Sequence, residues 1–520
     1  MSITTTIKVG ELPKTITLPE GKALTIKPNA GSSGTAGVAY LLDQALGGTN
    51  SKATWQIGPA PLAPIGPYES TQRILISCSS GSIDATVVDA APVLAQQAVS
   101  LAPRVGRSNI MEDQVYAAVG AQAQTANNFT YHMTIVLPTD CTQFRVALDN
   151  VSLTLPFRIK SAVIATSDSV GPDPAFGATA NQVRFTPQNG TAWKSLTWDS
   201  GQASVEIAVA PGAGRKTRKW SDWIDAPTVA NTDGSKLRVV MIRFYVEGTT
   251  ASPGNGYCTG SYPLTWRTLA ANQGLHKGFL WQCIRYSGDG VTTPASFQPT
   301  TDLSTLPFLT ALQYKTRAPG IVINGVGGDS QLAGAVNAGG GNFGNGWLFQ
   351  LVNMLRDRYP YIPFSLSNNG WPSTGSATYG QLALDYLNAG AVIGLPIYMV
   401  GTQNDGAPSA GFTAAAWARA ATACGVLQGQ GKTVALMTPM PNSSLGWTAA
   451  QDAFRLALRQ EILDIAAAGG TVALDMEVVS NGAVPARYVS AYTTDAAHPN
   501  EAGHAAIAAA AFPEACKMIG

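Results

Sequence analysis

Residues 320–331 read Gly320-Ile-Val-Ile-Asn-Gly-Val-Gly-Gly-Asp-Ser-Gln331. The opening residues are a short apolar run of the kind that forms a strand buried on both faces. Glycines end the run, and Asp329, Ser330 and Gln331 fall in the turn beyond it. Downstream the rhythm continues. Trp347 to Arg358 puts Leu348, Leu351, Val352 and Leu355 on one helical face, and Val392 to Val400 is a second apolar strand. An Ala-rich helix over Thr413 to Gln428 leads to a third strand from Lys432. An amphipathic helix over Thr448 to Ala467 leads to a fourth strand from Thr471, and Glu501 to Phe512 closes the chain as a helix. Strands alternating with helices predict a parallel sheet with helices on both faces over residues 316–520. In such sheets chemistry collects in loops at the carboxyl ends of the strands.

Three polar loops stand at those positions: Gly327-Gly328-Asp329-Ser330-Gln331, Gly401-Thr402-Gln403-Asn404-Asp405, and Asp495-Ala-Ala-His498-Pro499-Asn500. A serine hydroxyl needs a base within hydrogen-bond reach to act as a nucleophile. The chain has four histidines, His132, His276, His498 and His504, and the first two belong to another region. His498 follows Asp495 by three residues, ahead of Pro499. One loop can thus present a base together with the carboxylate that fixes its tautomer. His504 lies inside the last helix and reads as structural. Ser330, Asp495 and His498 are therefore the candidate catalytic triad.

The three segments, in this order, resemble the GDS, GxND and DxxH blocks of the SGNH (GDSL-like) hydrolases, over residues 316–520. The resemblance implies a flavodoxin-like sheet and a serine esterase needing no cofactor or metal. It also implies an oxyanion hole made by the Ser330 N–H, a second backbone N–H and the side chain of Asn404. The block holding Asn404 is one residue longer than the family's pattern. Asn368-Asn-Gly370-Trp-Pro-Ser373-Thr-Gly375 is similar to the family's N-x-G-x-x-G, with Ser373 where the second glycine is expected. Ser373 is the expected donor, with Gly370 and Gly375 as rivals. Gly370 and Trp371 are candidate substrate contacts, the indole as a platform for a sugar ring or as core. Gly339-Gly-Gly341-Asn-Phe-Gly344 matches GxGxxG but follows no strand, and reads as a site rim.

Upstream, the pattern is strand-like. Residues 1–95 alternate apolar and polar residues around turns, as in Thr15-Ile-Thr-Leu and Arg73-Ile-Leu-Ile. They read as a small all-β module similar to modules of phage tail proteins. Residues 96–125, Ala- and Gln-rich, read as a linker with a helical stretch. Residues 126–315, with Tyr131-His-Met-Thr-Ile-Val-Leu and Leu237-Arg-Val-Val-Met-Ile-Arg-Phe-Tyr-Val, read as a β-sandwich or jelly roll. That region resembles the accessory domain of several carbohydrate esterases of the family. The basic run Arg215-Lys-Thr-Arg-Lys219, bracketed by Trp220 and Trp223, reads as a solvated loop, with a site for an acidic glycan as the alternative. With the triad local to 316–520, that segment is expected to act on small esters by itself.

Composition narrows the setting. Charged residues are 12% of the 520, against 45% hydrophobic, and the net charge is +1. About a quarter charged is usual, so solubility rests on Ser, Thr, Asn, Gln and Gly. Neither nucleic acid nor membrane insertion is expected as a mode of binding. The six cysteines form no CxxC pair, and free thiols fit better than a Cys258–Cys283 bridge. The N-terminus carries no signal-peptide pattern. Together these readings predict an esterase on a phage tail spike or fibre, located on the virion tail; the alternative readings are a bacterial carbohydrate esterase not carried on a virion and a non-catalytic tail adhesin that binds glycan. The esterase would deacetylate a bacterial surface polysaccharide such as capsule or O-antigen. The N-terminal module would meet other tail or baseplate proteins, and a homo-oligomer such as a trimer is compatible with that role.

Overall fold

The computed structural model describes residues 3–8, 14–18, 22–28, 33–39, 51–57, 62–65, 72–80, 82–89, 105–114, 128–137, 139–150, 154, 156–167, 187, 190–212, 215–227, 238–247, 280–291, 301–303, 309–335, 346–442, 444–467 and 471–519. The chain divides into two compact units, residues 1–103 with 357–361 and 520, and residues 104–356 with 362–519. The Gly339–Gly344 segment, His276 and Cys258 lie outside the described residues. Cys141, Cys424 and Cys516 form no disulfide.

In the first unit, β1 (Ile3–Lys8), β2 (Lys14–Leu18), β3 (Lys22–Pro28) and β4 (Ser33–Ala39) precede β5 (Ser51–Ile57), β6 (Leu62–Ile65), β7 (Gln72–Ser80) and β8 (Ser82–Asp89). They pair antiparallel in two sheets, ordered β1-β8-β3-β6 and β2-β7-β4-β5.

The second unit opens with β9 (Ser108–Gln114), β10 (Phe129–Leu137), β11 (Gln143–Asn150) and β12 (Phe157–Ser167). The short strands β13 (Lys194–Ser195), β14 (Val205–Ile207), β15 (Thr217–Trp220) and β16 (Ile224–Asp225) follow, then β17 (Arg238–Val246), β18 (Leu280–Ser287) and β19 (Thr301–Leu303). One antiparallel sheet runs β13-β12-β17-β10-β18-β19. Its alternate residues Tyr131, Met133, Ile135, Val240, Ile242 and Phe244 share a core with Phe144, Val146, Leu148, Leu312 and Tyr314 of a second sheet. Two sheets thus pack face to face, as their period-2 apolar pattern dictates.

That second sheet is built on β20 (Leu309–Gly327). The first half of β20 pairs antiparallel with β9 and β11. Its second half pairs parallel with β21 (Phe364–Asn368) and β22 (Leu395–Met399). Beyond β22 lie β23 (Ala435–Met437) and β24 (Val472–Leu474), all parallel. The parallel part therefore runs β21-β20-β22-β23-β24, the 2-1-3-4-5 order of a flavodoxin-like sheet. The connecting helices are α1 (Ser330–Ala333), α2 (Trp347–Arg358), α3 (Ser376–Asn388), α4 (Ala410–Gly429), α5 (Ala449–Ala467) and α6 (Glu501–Ile519). Among the described residues no helix is long and apolar enough to cross a membrane.

Two expectations are corrected here. The linker assigned to 96–125 contains β9, a full member of the central sheet. Its Glu112, Asp113 and Gln114 are all buried. They are hydrogen-bonded instead of hydrated: Ser367 Oγ donates to Glu112 Oε1 (2.7 Å), Gln313 Nε2 to Glu112 Oε2 (2.6 Å) and Tyr314 Oη to Asp113 Oδ2 (2.7 Å). Nor is there a break at 315/316, since β20 runs unbroken through it. A chain cut there would lose β9 and β11 and expose the apolar flank of β20. We expect residues 104–520 to melt cooperatively and residues 316–520 to aggregate. Size-exclusion chromatography with thermal circular dichroism decides this, and a monomeric, cooperatively melting 316–520 would refute the shared-strand account.

Candidate active site

β20 ends at Gly327, and the chain turns through Gly328 into α1. Asp329 caps that helix, its Oδ1 accepting the Gln331 N–H at 2.8 Å. The cap sets the direction of Ser330, the first helical residue. Ser330 Oγ lies 2.9 Å from His498 Nε2, and His498 Nδ1 lies 2.7 Å from Asp495 Oδ2. The three predicted triad residues are thus brought together, from elements 168 residues apart in sequence. Ser330 is 4% exposed, while the His498 and Asp495 side chains are 14% and 17% exposed, open enough for substrate and water.

The Asp495–His498 loop is set by its own hydrogen bonds. Asp495 Oδ1 accepts the backbone N–H of Ala497 (2.9 Å) and of His498 (2.8 Å), leaving Oδ2 for the imidazole. Burial by itself would raise the Asp495 pKa. The bonds from the His498 ring and from the two N–H groups outweigh it and hold the carboxyl below its ordinary value. Ala496 adopts φ 62°, the left-handed region. That conformation costs a non-glycine residue about 1 kcal/mol and is offset by those bonds.

Asp329 holds the second polar loop. Its Oδ2 accepts Thr402 Oγ1 and Asn404 Nδ2, the latter at 2.9 Å. Burial pushes its carboxyl above the usual range, against the pull of Thr402 and the Gln331 N–H. Asn404 Nδ2 also donates to the Thr374 carbonyl at 3.2 Å. Both amide hydrogens are therefore on protein acceptors, and Asn404 must release one to serve an oxyanion.

The third segment commits one of the rival donors elsewhere. The Gly370 N–H donates to Asn368 Oδ1 (2.9 Å) and the Trp371 N–H to Gly328 O (2.9 Å), so Gly370 is committed. A Cβ on Gly370 would stand 2.6 Å from the Ala333 N, which is how closely this loop lies on α1. Gly370 and Trp371 were candidate substrate contacts, and the burial of both corrects that expectation. The indole is 1% exposed, with Lys216 Nζ 6.0 Å from its ring centre, so no sugar can stack on it. Ser373 is exposed at φ 58°. A positive φ at this position explains why the family pattern has glycine there, and the backbone N–H that an oxyanion needs is unaffected by the serine side chain.

Several residues that position the site carried no signal in the sequence. Gln331 Nε2 donates to the Ala497 carbonyl (3.3 Å) and reaches Tyr488 Oη (3.2 Å), while Tyr488 Oη donates to the same carbonyl (3.3 Å). This pair ties α1 to the residue before His498. The basic run 215–219 is not a solvated loop either. Arg215 pairs with Asp385 and Lys216 is buried, while Trp220 Nε1 donates to the Ala389 carbonyl at 2.7 Å. The Arg145 guanidinium stacks between Trp220 and Trp223, 4.7 and 4.8 Å from their ring centres. Among the described residues, no cluster of three His, Cys, Asp or Glu could hold a metal ion.

No protein-family model matches the chain, and no curated protein matches it. Similar solved structures include a lipolytic protein of the G-D-S-L family from Desulfitobacterium hafniense, 17% identical with a TM-score of 0.29, over 37% of this chain and 97% of that one. A carbohydrate acetylesterase family member from Sinorhizobium meliloti is 16% identical with a TM-score of 0.30, over 39% and 99%. A variant of an acetyl-xylooligosaccharide esterase from Geobacillus Stearmophilus is 18% identical with a TM-score of 0.29, over 39% and 94%.

His504 sits apart from the triad's chemistry. It is buried in α6, with Nδ1 accepting the Trp347 N–H (3.3 Å) and Nε2 facing the Ala335 carbonyl (3.0 Å). Both contacts are satisfied by the neutral ring protonated at Nε2. Burial brings its pKa down to about 4, against the Ala335 bond. Below about pH 6.5 the unfolded chain takes up a proton that the folded one refuses until about pH 4. Native stability therefore falls across that window as pH falls, by about 3 kcal/mol from this group. His504→Asn destabilises at pH 7, and its deficit against wild type should shrink by about that amount at pH 4. Denaturant melts of both proteins across the range measure the gap, and a constant gap would contradict the neutral assignment.

Proposed function

We propose that this protein is a serine ester hydrolase that removes O-acetyl groups from a polysaccharide. The observation that carries the reading is the continuous relay from Ser330 Oγ through His498 to Asp495, at 2.9 and 2.7 Å. His498 Nε2 takes the Ser330 proton as Oγ attacks the acyl carbon, and Asp495 stabilises the resulting imidazolium. The carbonyl oxygen becomes an oxyanion facing the Ser330 N–H at the start of α1, with the Ser373 N–H as second donor and Asn404 as third. His498 then protonates the leaving alkoxide, and the acyl group stays on Ser330. A water deprotonated by His498 attacks the acyl-enzyme and releases the acid, returning the proton to Ser330.

The site favours ester over glycoside chemistry. Glycosidic cleavage needs two carboxyl groups flanking the bond, one kept protonated. Asp495 is engaged by His498, and Asp329 is wholly buried under Thr402 and Asn404. Oxyanion donors assist a tetrahedral intermediate and give no help to an oxocarbenium ion. The setting we propose is a phage tail spike or fibre acting on bacterial capsule or O-antigen, with the N-terminal unit joining other tail proteins. This setting rests on sequence resemblance and on the low-charge, β-rich character of residues 1–315.

Two outcomes test the reading. Ser330→Ala should fold normally and lose p-nitrophenyl acetate hydrolysis by several orders of magnitude. Retention of more than about a tenth of wild-type turnover would remove Ser330 as nucleophile. Incubated with acetylated bacterial polysaccharide, the wild type should release acetate while the polymer keeps its size-exclusion profile. Shortening of the polymer that persists in Ser330→Ala would instead point to a glycosidase or lyase.

A further inference from the structure

Five buried side chains from distant parts of the second unit close into a ring beside the site. Arg218 Nε and Nη2 grip Asp149 Oδ1 and Oδ2 at 2.7 and 2.8 Å. Arg218 Nη2 also donates to Gln114 Oε1 at 3.1 Å, and Gln114 Nε2 donates to Asn369 Oδ1 at 3.2 Å. Lys216 Nζ donates to the same Asn369 Oδ1 at 3.0 Å and lies 3.3 Å from Asp149 Oδ2, which completes the circuit. The Lys216, Arg218 and Asp149 side chains are 2%, 2% and 1% exposed. Arg218 comes from β15 and Lys216 from the residue just before it, Asp149 from β11 and Gln114 from β9. Only Asn369 belongs to the loop after β21 that leads to Ser373.

Asn369 passes the ring's hold to the nucleophile strand. Its Nδ2 donates to the Val326 carbonyl (2.9 Å) and the Leu382 carbonyl (3.3 Å), and its backbone N–H to Gly325 O (2.7 Å). Next to it, Asn368 Nδ2 donates to the Leu332 and Ala333 carbonyls of α1, both at 3.3 Å. Lys216 thereby fixes the acceptor of an asparagine whose donors lock the loop onto β20, while its ammonium lies 6.0 Å from the Trp371 ring centre. A lysine that served only to neutralise Asp149 would be redundant, because Arg218 already binds both carboxylate oxygens.

We propose that Lys216 is a positioning residue for the reaction, holding the 368–373 loop so that the Ser373 N–H stays aligned with Ser330. The inference rests on the ester-hydrolase reading above. It also gives the β-sandwich half of the unit a direct part in the chemistry, through the residue that leads into β15, in place of a detachable accessory role.

The test uses the full chain. Lys216→Met keeps the length of the stem and leaves the Asp149–Arg218 pair intact, so folding is expected to survive. An oxyanion donor acts in the transition state, so its misalignment lowers kcat and leaves KM nearly unchanged. We expect kcat for p-nitrophenyl acetate to fall about tenfold or more with KM within about twofold. Hydrogen exchange in residues 368–375 should speed up by a similar factor while exchange in β22 and β23 is unaltered. Gln114→Leu, which removes the other side-chain donor to Asn369, should shift both readouts in the same direction and serves if Lys216→Met does not fold. An unchanged kcat in whichever variant folds, beside an active wild type, overturns the proposal. An inactive wild type would instead sink the esterase reading, and unaltered exchange in 368–375 would then overturn the positioning role by itself.

Discussion

Strand β20 is paired along both edges in each of its halves, by antiparallel partners at residues 311–315 and by parallel partners at residues 323–325. A strand so placed cannot shift register by one residue without moving its apolar side chains to the wrong face on both sides. It therefore transmits a fixed register from the sandwich to the turn that bears the nucleophile. The site inherits its geometry from this: Ser330 follows three residues after the end of β20, with only the Gly328 turn and the Asp329 cap between.

The surroundings of β20 are unusually polar for a core. Its own Asn324 is buried, and Glu112, Asp113, Ser365 and Ser367 are buried beside it, as are Lys216, Arg218 and Asp149 at its flank. Buried polar groups are costly unless paired, and breaking one partner is far more damaging than never having had the pair. Here Asn324 donates to Tyr386 Oη and to the Val392 carbonyl and accepts the Gly394 N–H. Tyr386 Oη in turn donates to Ser367 Oγ, which donates to Glu112. Such directional chains select one arrangement of strands where an apolar core would accept several. Burial also pushes the Asp113 carboxyl up to about 6, against the pull of Tyr314 and Arg356.

At the site the same logic works on a smaller scale. Two non-glycine residues stand at positive φ, Ser373 in the loop after β21 and Ala496 in the loop that carries Asp495 and His498. Each is held there by fixed neighbours: the Asp495 carboxylate bonds on one side, and the Asn368–Asn369 network with the Thr374–Asn404 contact on the other. Strain at these positions is set against hydrogen bonds that would otherwise be lost, and the result is two loops held in one conformation, one of them carrying His498.

The residues alone determined the alternation of strands and helices after 316 and the Ser330, Asp495 and His498 assignment. Those signals are local: an apolar run ending in glycine, and an Asp and His three residues apart before a proline. The helix over 376–388 and the strand over 364–368 were not picked out, since their polar serines and asparagines hide the period. Only the tertiary structure decided that β9 is a strand, that β20 crosses the expected boundary, and that Trp371 is core. It alone buried Lys216 against Asn369, 153 residues away. The physical reason is the same in each case. A charged or amide side chain reads as solvent-facing until its partner is known, and the partners of Glu112, Gln114 and Lys216 stand on strands that meet only when the sheet forms.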